Sequence, residues 1–228
     1  VDRLLEELKA EGVENILALR GDVNPDIPPK TDFAHASDLV SYIRAHSDFG
    51  VSAACYPEGH LESPDLVSDI RHLKEKVDAG AQHLVSQLFF DNEDFFRFLE
   101  RARIAGIDVP IEAGIMPVLS RSSIQRMVSM CGASLPRKLT RILARYGDHP
   151  QAMREAGIAY AIDQIADLIA SGRVQLNHRE CVKPDHAVAQ GDVLTSFAAV
   201  AAANGYFEEA GLDVSIVQPP EDGATAIC

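Results

Sequence analysis

Two rhythms of apolar residues alternate along the chain. Leu4, Leu5, Leu8 and Val13 share one face of an expected helix, and the apolar run at 15–19 reads as a short buried strand. The same step repeats as a helix over 38–44 and a strand over 50–56. The next helix is better punctuated. Ser63 is placed to cap it, Pro64 suits its first turn, Leu66, Ile70, Leu73 and Val77 form the buried stripe, and Gly80 ends it. A strand over 83–90 follows, then a helix capped by Asn92, carrying Phe95, Phe96, Phe98 and Leu99 and stopped at Gly106, then a strand over 110–116. Helices over 123–131, 136–146 and about 151–171 complete this part.

Strands alternating with helices predict parallel pairing through βαβ units, and nearly continuous apolar strands fit a sheet covered on both faces. An open doubly wound sheet and a closed barrel both satisfy the pattern. Because no GxGxxG turn follows any strand, the expected fold is an α/β barrel of the TIM type.

Composition narrows the partners. The chain has 228 residues, 46% of them hydrophobic, enough for a full core, and a formal charge of −13 without a basic cluster. That charge argues against nucleic acid and anionic membranes and leaves a small molecule as the expected ligand. The four cysteines, Cys55, Cys131, Cys181 and Cys228, form no zinc or disulfide pattern, so no metal and a reducing cytoplasm are expected. No apolar run reaches the roughly 18 residues of a membrane span. The start at Val1 is neither an initiator Met nor a signal peptide, and reads as a truncated front.

In a parallel barrel, functional side chains stand at the carboxyl ends of the strands. There the sequence places Arg20 and Asp22, Tyr56 and His60, Gln87 and Asp91, and Met116. Each has an ordinary alternative: Asp22 as a turn cap, His60 as a solvated loop residue, Gln87 as a partner for the backbone. A second group, Asp69, His72 and Lys76, has helical spacing beside the Ile70 and Leu73 stripe. It reads either as a solvated, salt-bridged face or as a rail of donors and acceptors along a ligand rich in hydroxyls and phosphates.

The segments ALRGD (18–22), HASDLV (35–40), AACYPEGH (53–60), DIRHLKEKVDAGA (69–81), SQLFFD (86–91), AGIMP (113–117), RMVSMCGASLP (126–136) and AGIAYAIDQIADLIASG (156–172) occur in the order and spacing of the methylenetetrahydrofolate reductase family, which residues 1–172 therefore resemble. The resemblance implies a (β/α)8 barrel holding FAD at the carboxyl ends of its strands, with NAD(P)H and the folate substrate taking turns over the flavin. It implies flavin contacts from Arg20, Gly21, Asp22 and Ala36, with Tyr56, His60, Asp69, His72 and Lys76 along the ribityl, pyrophosphate and adenine portions. Asp22 and Gln87 are implied as catalytic and folate-contacting residues. A carboxylate beside the pterin would stabilise the cationic form of the methylene donor, and a Gln amide would pair with the pterin edge and the nicotinamide in turn. Ser123 stands where some members place a folate-contacting Gln, and His35 where most have an aromatic.

The family begins with three further strands, one bearing a glutamate thought to act as general acid and another a threonine near the flavin. The expected barrel is thus incomplete, about strands 4–7, with turnover of 5,10-methylenetetrahydrofolate to 5-methyltetrahydrofolate impaired in this chain alone. Residues 173–228 are expected to form an atypical tail, since the family's last strand, close to GIHLYTMN, is absent from 173–180. Within it, residues 204–226 resemble periplasmic binding proteins for thiamine-precursor pyrimidines. The other readings are a non-catalytic flavin- or folate-binding fragment, completed by a second copy or a complementing chain, and, more remotely, a solute-binding protein.

Overall fold

The computed structural model describes residues 1–21 and 32–172, and beyond them the backbone of short strands at 175–176, 179–180 and 225–227. The main body runs α1 (Asp2–Ala10), β1 (Asn15–Ala18), α2 (Ala36–His46), β2 (Gly50–Cys55), α3 (Leu66–Asp78), β3 (His83–Ser86), α4 (Asn92–Ile104), β4 (Ile111–Glu112), α5 (Arg121–Cys131), α6 (Arg137–Tyr146) and α7 (Pro150–Ala170). Then come β5 (Gln175–Leu176) and β6 (Arg179–Glu180), an antiparallel pair, and β7 (Thr225–Ile227).

The main sheet is parallel throughout, in the order β4-β3-β2-β1-β7. From β1 to β4 each strand lies beside its predecessor in sequence, with no reversal of the kind that defines a doubly wound sheet. Burial alternates along β1, β2 and β3. Ile16, Ala18, Val51, Ala53, Cys55 and Leu84 are buried in a core with Leu39, Val40 and Ile43 of α2, Ile70 and Leu73 of α3, and Phe95 and Phe98 of α4. The alternating positions Leu17, Ser52, Ala54, His83 and Val85 are only half-buried. The helices pack on the buried face and the strands follow one another in chain order, which is the arrangement of a barrel arc and resolves the choice the sequence left.

On the face away from the helices His83 Nε2 lies 2.9 Å from Glu112 Oε1, a polar contact in place of the aliphatic layer usual for such barrels. A second core gathers Leu88, Phe90, Val118, Ile124, Leu139 and Met153 beneath α5, α6 and α7.

Several boundaries differ from those expected. β3 stops at Ser86 and β4 is shorter than the apolar runs suggest, because hydrogen bonding passes from the ladder to side chains: Leu88 N donates to Gln87 Oε1 (2.8 Å) and Gly114 N to Ser86 Oγ (2.8 Å). The cap of α3 is Asp65, which accepts from Ser68 N, and the cap of α4 is Asp91, which accepts from Glu93 N. Ser63 and Asn92 instead make tertiary bonds, Ser63 to Asp69 and Asn92 Nδ2 to Gln164 O (2.9 Å).

Candidate functional site

The corner where β2 turns into α3 is built around Asp69. This carboxylate stands in the first turn of α3, only 7% exposed, where the helix N-terminus favours negative charge. Its Oδ1 accepts from His60 N (3.1 Å) and Ser63 Oγ (2.8 Å), which ties the β2–α3 loop down onto the helix. Both bonds fall on one oxygen. The His60 ring meets Tyr56 edge to face, centroids 4.6 Å apart, and its Nδ1 accepts from Glu62 N (3.2 Å). A neutral His60 therefore carries its proton on Nε2 and presents a donor.

Two turns along α3, Lys76 Nζ donates to Ala54 O (2.7 Å) and lies 5.5 Å from the Tyr56 ring centroid. Burial pulls the Lys76 ammonium below the usual lysine range, against the opposing pull of Cys55 and Asp69. Burial likewise raises the Cys55 thiol well above the usual cysteine range, partly offset by Lys76 and reinforced by Asp69. Cys55 is thus an inert core thiol.

Arg20 joins this group from the end of β1. Its Nη2 is 2.7 Å from Glu62 Oε2, and its Nε donates to Gly21 O (3.2 Å). Gly21 has φ +77°, a conformation that favours glycine, with nothing among the described residues within 4 Å of where a Cβ would stand. From β3, Gln87 N donates to Cys55 O (2.7 Å), which holds Gln87 beside the same strand end. With Gln87 Oε1 accepting from Leu88 N, the amide keeps its NH2 for a ligand. Ala36 is the half-buried first residue of α2. Asp22 lies outside the described residues.

The rail of Asp69, His72 and Lys76 is divided. At about 100° per residue, positions seven apart nearly eclipse, whereas the one between them turns aside. Asp69 and Lys76 accordingly face inward while His72 is exposed. Ser123 sits on α5 inside a reciprocal cap: its N donates to Ser120 Oγ (3.1 Å), its Oγ donates to Ser120 O (2.8 Å) and accepts from Ser120 N (3.2 Å). Asp91 serves α4 as its cap, and Met116 packs at the edge of the second core. Glu62 and Ser63 complete the corner; Ser63 was expected as a helix cap, and Glu62 had no periodic or motif signal beyond lying near His60.

No group of three or more His, Cys, Asp or Glu able to hold a metal is found among the described residues. The donor set does suit a flavin nucleotide: a guanidinium for an anion, an Nε2–H donor, a buried ammonium, an aromatic ring and an amide, on the ends of β1, β2 and β3. The apolar groove lined by Ile124, Val128, Leu135 and Leu143 lies elsewhere, between α5 and α6.

Comparison with known proteins bears on the whole body. The family model described as methylenetetrahydrofolate reductase matches residues 1–190, and one described as NMT1/THI5 like matches residues 195–227. Methylenetetrahydrofolate reductase 1 of Schizosaccharomyces pombe is 37% identical over 182 residues, 78% of this chain and 30% of that protein. Methylenetetrahydrofolate reductase (NADH) 1 of Arabidopsis thaliana is 36% identical over 78% of this chain and 32% of its own length. The 5,10-methylenetetrahydrofolate reductase of Pectobacterium carotovorum is 35% identical over 77% of this chain and 63% of its own length. The chain thus spans less than two thirds of these relatives. Among solved structures, an uncharacterized protein from Clostridium thermocellum that binds two copies of 5-methyl-5,6,7,8-tetrahydrofolic acid shares the fold, with a TM-score of 0.51 and 15% identity over 75% of this chain and 56% of that one. With its family model covering most of its length and relatives above a third identical, the chain belongs to the methylenetetrahydrofolate reductase family.

Proposed function

We propose that this chain binds FAD at the carboxyl ends of β1, β2 and β3 and takes part in the NAD(P)H-dependent reduction of 5,10-methylenetetrahydrofolate to 5-methyltetrahydrofolate. The observation that carries this reading is the convergence of Arg20, Tyr56, His60, Asp69 and Lys76 in one linked network at strand ends of a family barrel. The bound flavin would supply the hydride relay, which no amino-acid side chain provides.

The chain's own groups bind and orient. Arg20 supplies the charge for an anionic portion of the nucleotide. His60 offers Nε2–H, and Asp69 holds the His60–Ser63 loop against α3 so that these donors keep their geometry. Lys76 braces the end of β2 through the Ala54 carbonyl and sits over Tyr56. Gln87, with its oxygen engaged by the backbone, presents amide hydrogens toward a carbonyl of the pterin or the nicotinamide. The relatives named for NADH make NADH the first reductant to test.

The test is anaerobic. The chain is loaded with FAD, reduced with NADH, then given 5,10-methylenetetrahydrofolate. Loss of the visible flavin absorbance on reduction, its return with folate and formation of 5-methyltetrahydrofolate are expected. Failure to retain FAD refutes the reading, and retention without reoxidation by folate supports a binding role only.

A further inference from the structure

Arg20 and Glu62 reach one another from separate loops, Arg20 from the end of β1 and Glu62 from the loop between β2 and α3. Their side chains are 27% and 52% exposed and meet at 2.7 Å. A pair so open to water is weak and exchangeable. The Glu62 backbone, by contrast, is held. Its N–H donates to His60 Nδ1, and His60, two residues before it, and Ser63, just after it, both bond Asp69. The Glu62 carboxylate is therefore free to leave Arg20 by side-chain rotation alone, with the loop remaining in place.

We propose that Glu62 is an internal anion that competes with the ligand for Arg20 and so tempers the preference that Arg20 gives this site for phosphate-bearing flavin nucleotides over flavins without phosphate. The inference rests on the flavin reading above. Displacing a carboxylate from a guanidinium requires a group that offers more charge and more acceptor oxygens than the carboxylate does, which a phosphate or pyrophosphate provides. A neutral ligand leaves the pair intact and gains nothing from Arg20. Once displaced, the Glu62 carboxylate stays hydrated, because its side chain is already half in water.

The experiment titrates wild type and Glu62→Gln with FAD, FMN and riboflavin by fluorescence, and with inorganic pyrophosphate by calorimetry. Removing the competitor is expected to tighten FAD, FMN and pyrophosphate by about two- to fivefold, the span open to an exposed ion pair, while riboflavin is unchanged. The gain should shrink with added salt and vanish in an Arg20→Gln background, as a double-mutant cycle requires. Weaker nucleotide binding in Glu62→Gln overturns the proposal and makes Glu62 a support for Arg20. Equal tightening of riboflavin, or no change in any anion, also overturns it. Wild type that takes up no flavin refutes the flavin reading, and pyrophosphate then decides the inference: tighter binding by Glu62→Gln sustains it, and equal or absent binding by both variants ends it.

Discussion

Two corners at the carboxyl ends of the strands offer polar side chains, and they use them differently. Where β4 leads into α5, Ser120 and Ser123 close on each other, hydroxyl to backbone in both directions, and their hydrogen-bonding capacity is taken up in starting a helix. Where β2 leads into α3, the cap is Asp65, and this leaves Asp69, Lys76, His60 and Arg20 linked to one another with charge still available. Polar side chains at the same position in the fold become structural in one corner and a candidate site in the other. What separates them is whether a local partner satisfies them first.

The sharpest way to break this contrast is Asp69→Ala. It strips the acceptor from His60 N and Ser63 Oγ in a buried setting, and a loss of about 2–3 kcal/mol in unfolding free energy by urea titration is expected, the cost of orphaned buried donors. FAD retention should fall with it. Asp69→Asn keeps an acceptor oxygen, so it should recover most of the stability and separate the structural role from the charge. Next in size, Ser123→Ala removes one half of a reciprocal cap and should cost about 1 kcal/mol, with FAD affinity unchanged. Lost flavin binding in that variant would dissolve the distinction between the corners.

The smallest effect is a pH slope. The folded pKa of Lys76 lies below the ordinary lysine value of 10.5, so between that lowered value and 10.5 the unfolded chain binds more protons and this residue's contribution to stability rises with pH. Cys55 acts in the opposite sense: its folded pKa lies above 9.0, and its contribution is lost as pH rises past that value. The difference between wild type and Lys76→Met in alkaline urea titrations should therefore shift toward wild type with increasing pH. A difference that stays flat would mean that the Lys76 ammonium is hydrated.

How far the sequence foretold this depends on the range of the interaction involved. The Leu66, Ile70, Leu73 and Val77 stripe and the phenylalanines of α4 are set by periodicity within one element, and both helices stand where the pattern put them. Caps were harder. Ser63 and Asp65 both carry oxygens near the start of α3, and only the folded loop decides that Asp65 meets Ser68 N while Ser63 turns to Asp69. The burial of Asp69 was hidden because its neighbours on the helix, His72 and Lys76, look like a solvated face, and it is a loop folded over from β2 that covers it. Glu62 had no signal at all, since an exposed loop acid is commonplace until an arginine from another strand is seen against it. The His83 and Glu112 pair follows from strand register, which places β3 and β4 side by side, and alternation within either strand alone does not reveal it.

The central claim is that ligand binding belongs to the corner of Arg20, Tyr56, His60, Asp69 and Lys76. Hydrogen exchange with and without FAD tests it most directly, since amides that become ordered around a ligand slow their exchange. Slowed exchange across residues 56–69 and at 87–88, with residues 120–146 unchanged, is the predicted result. Protection confined to 120–146, or none anywhere at saturating FAD, would contradict it.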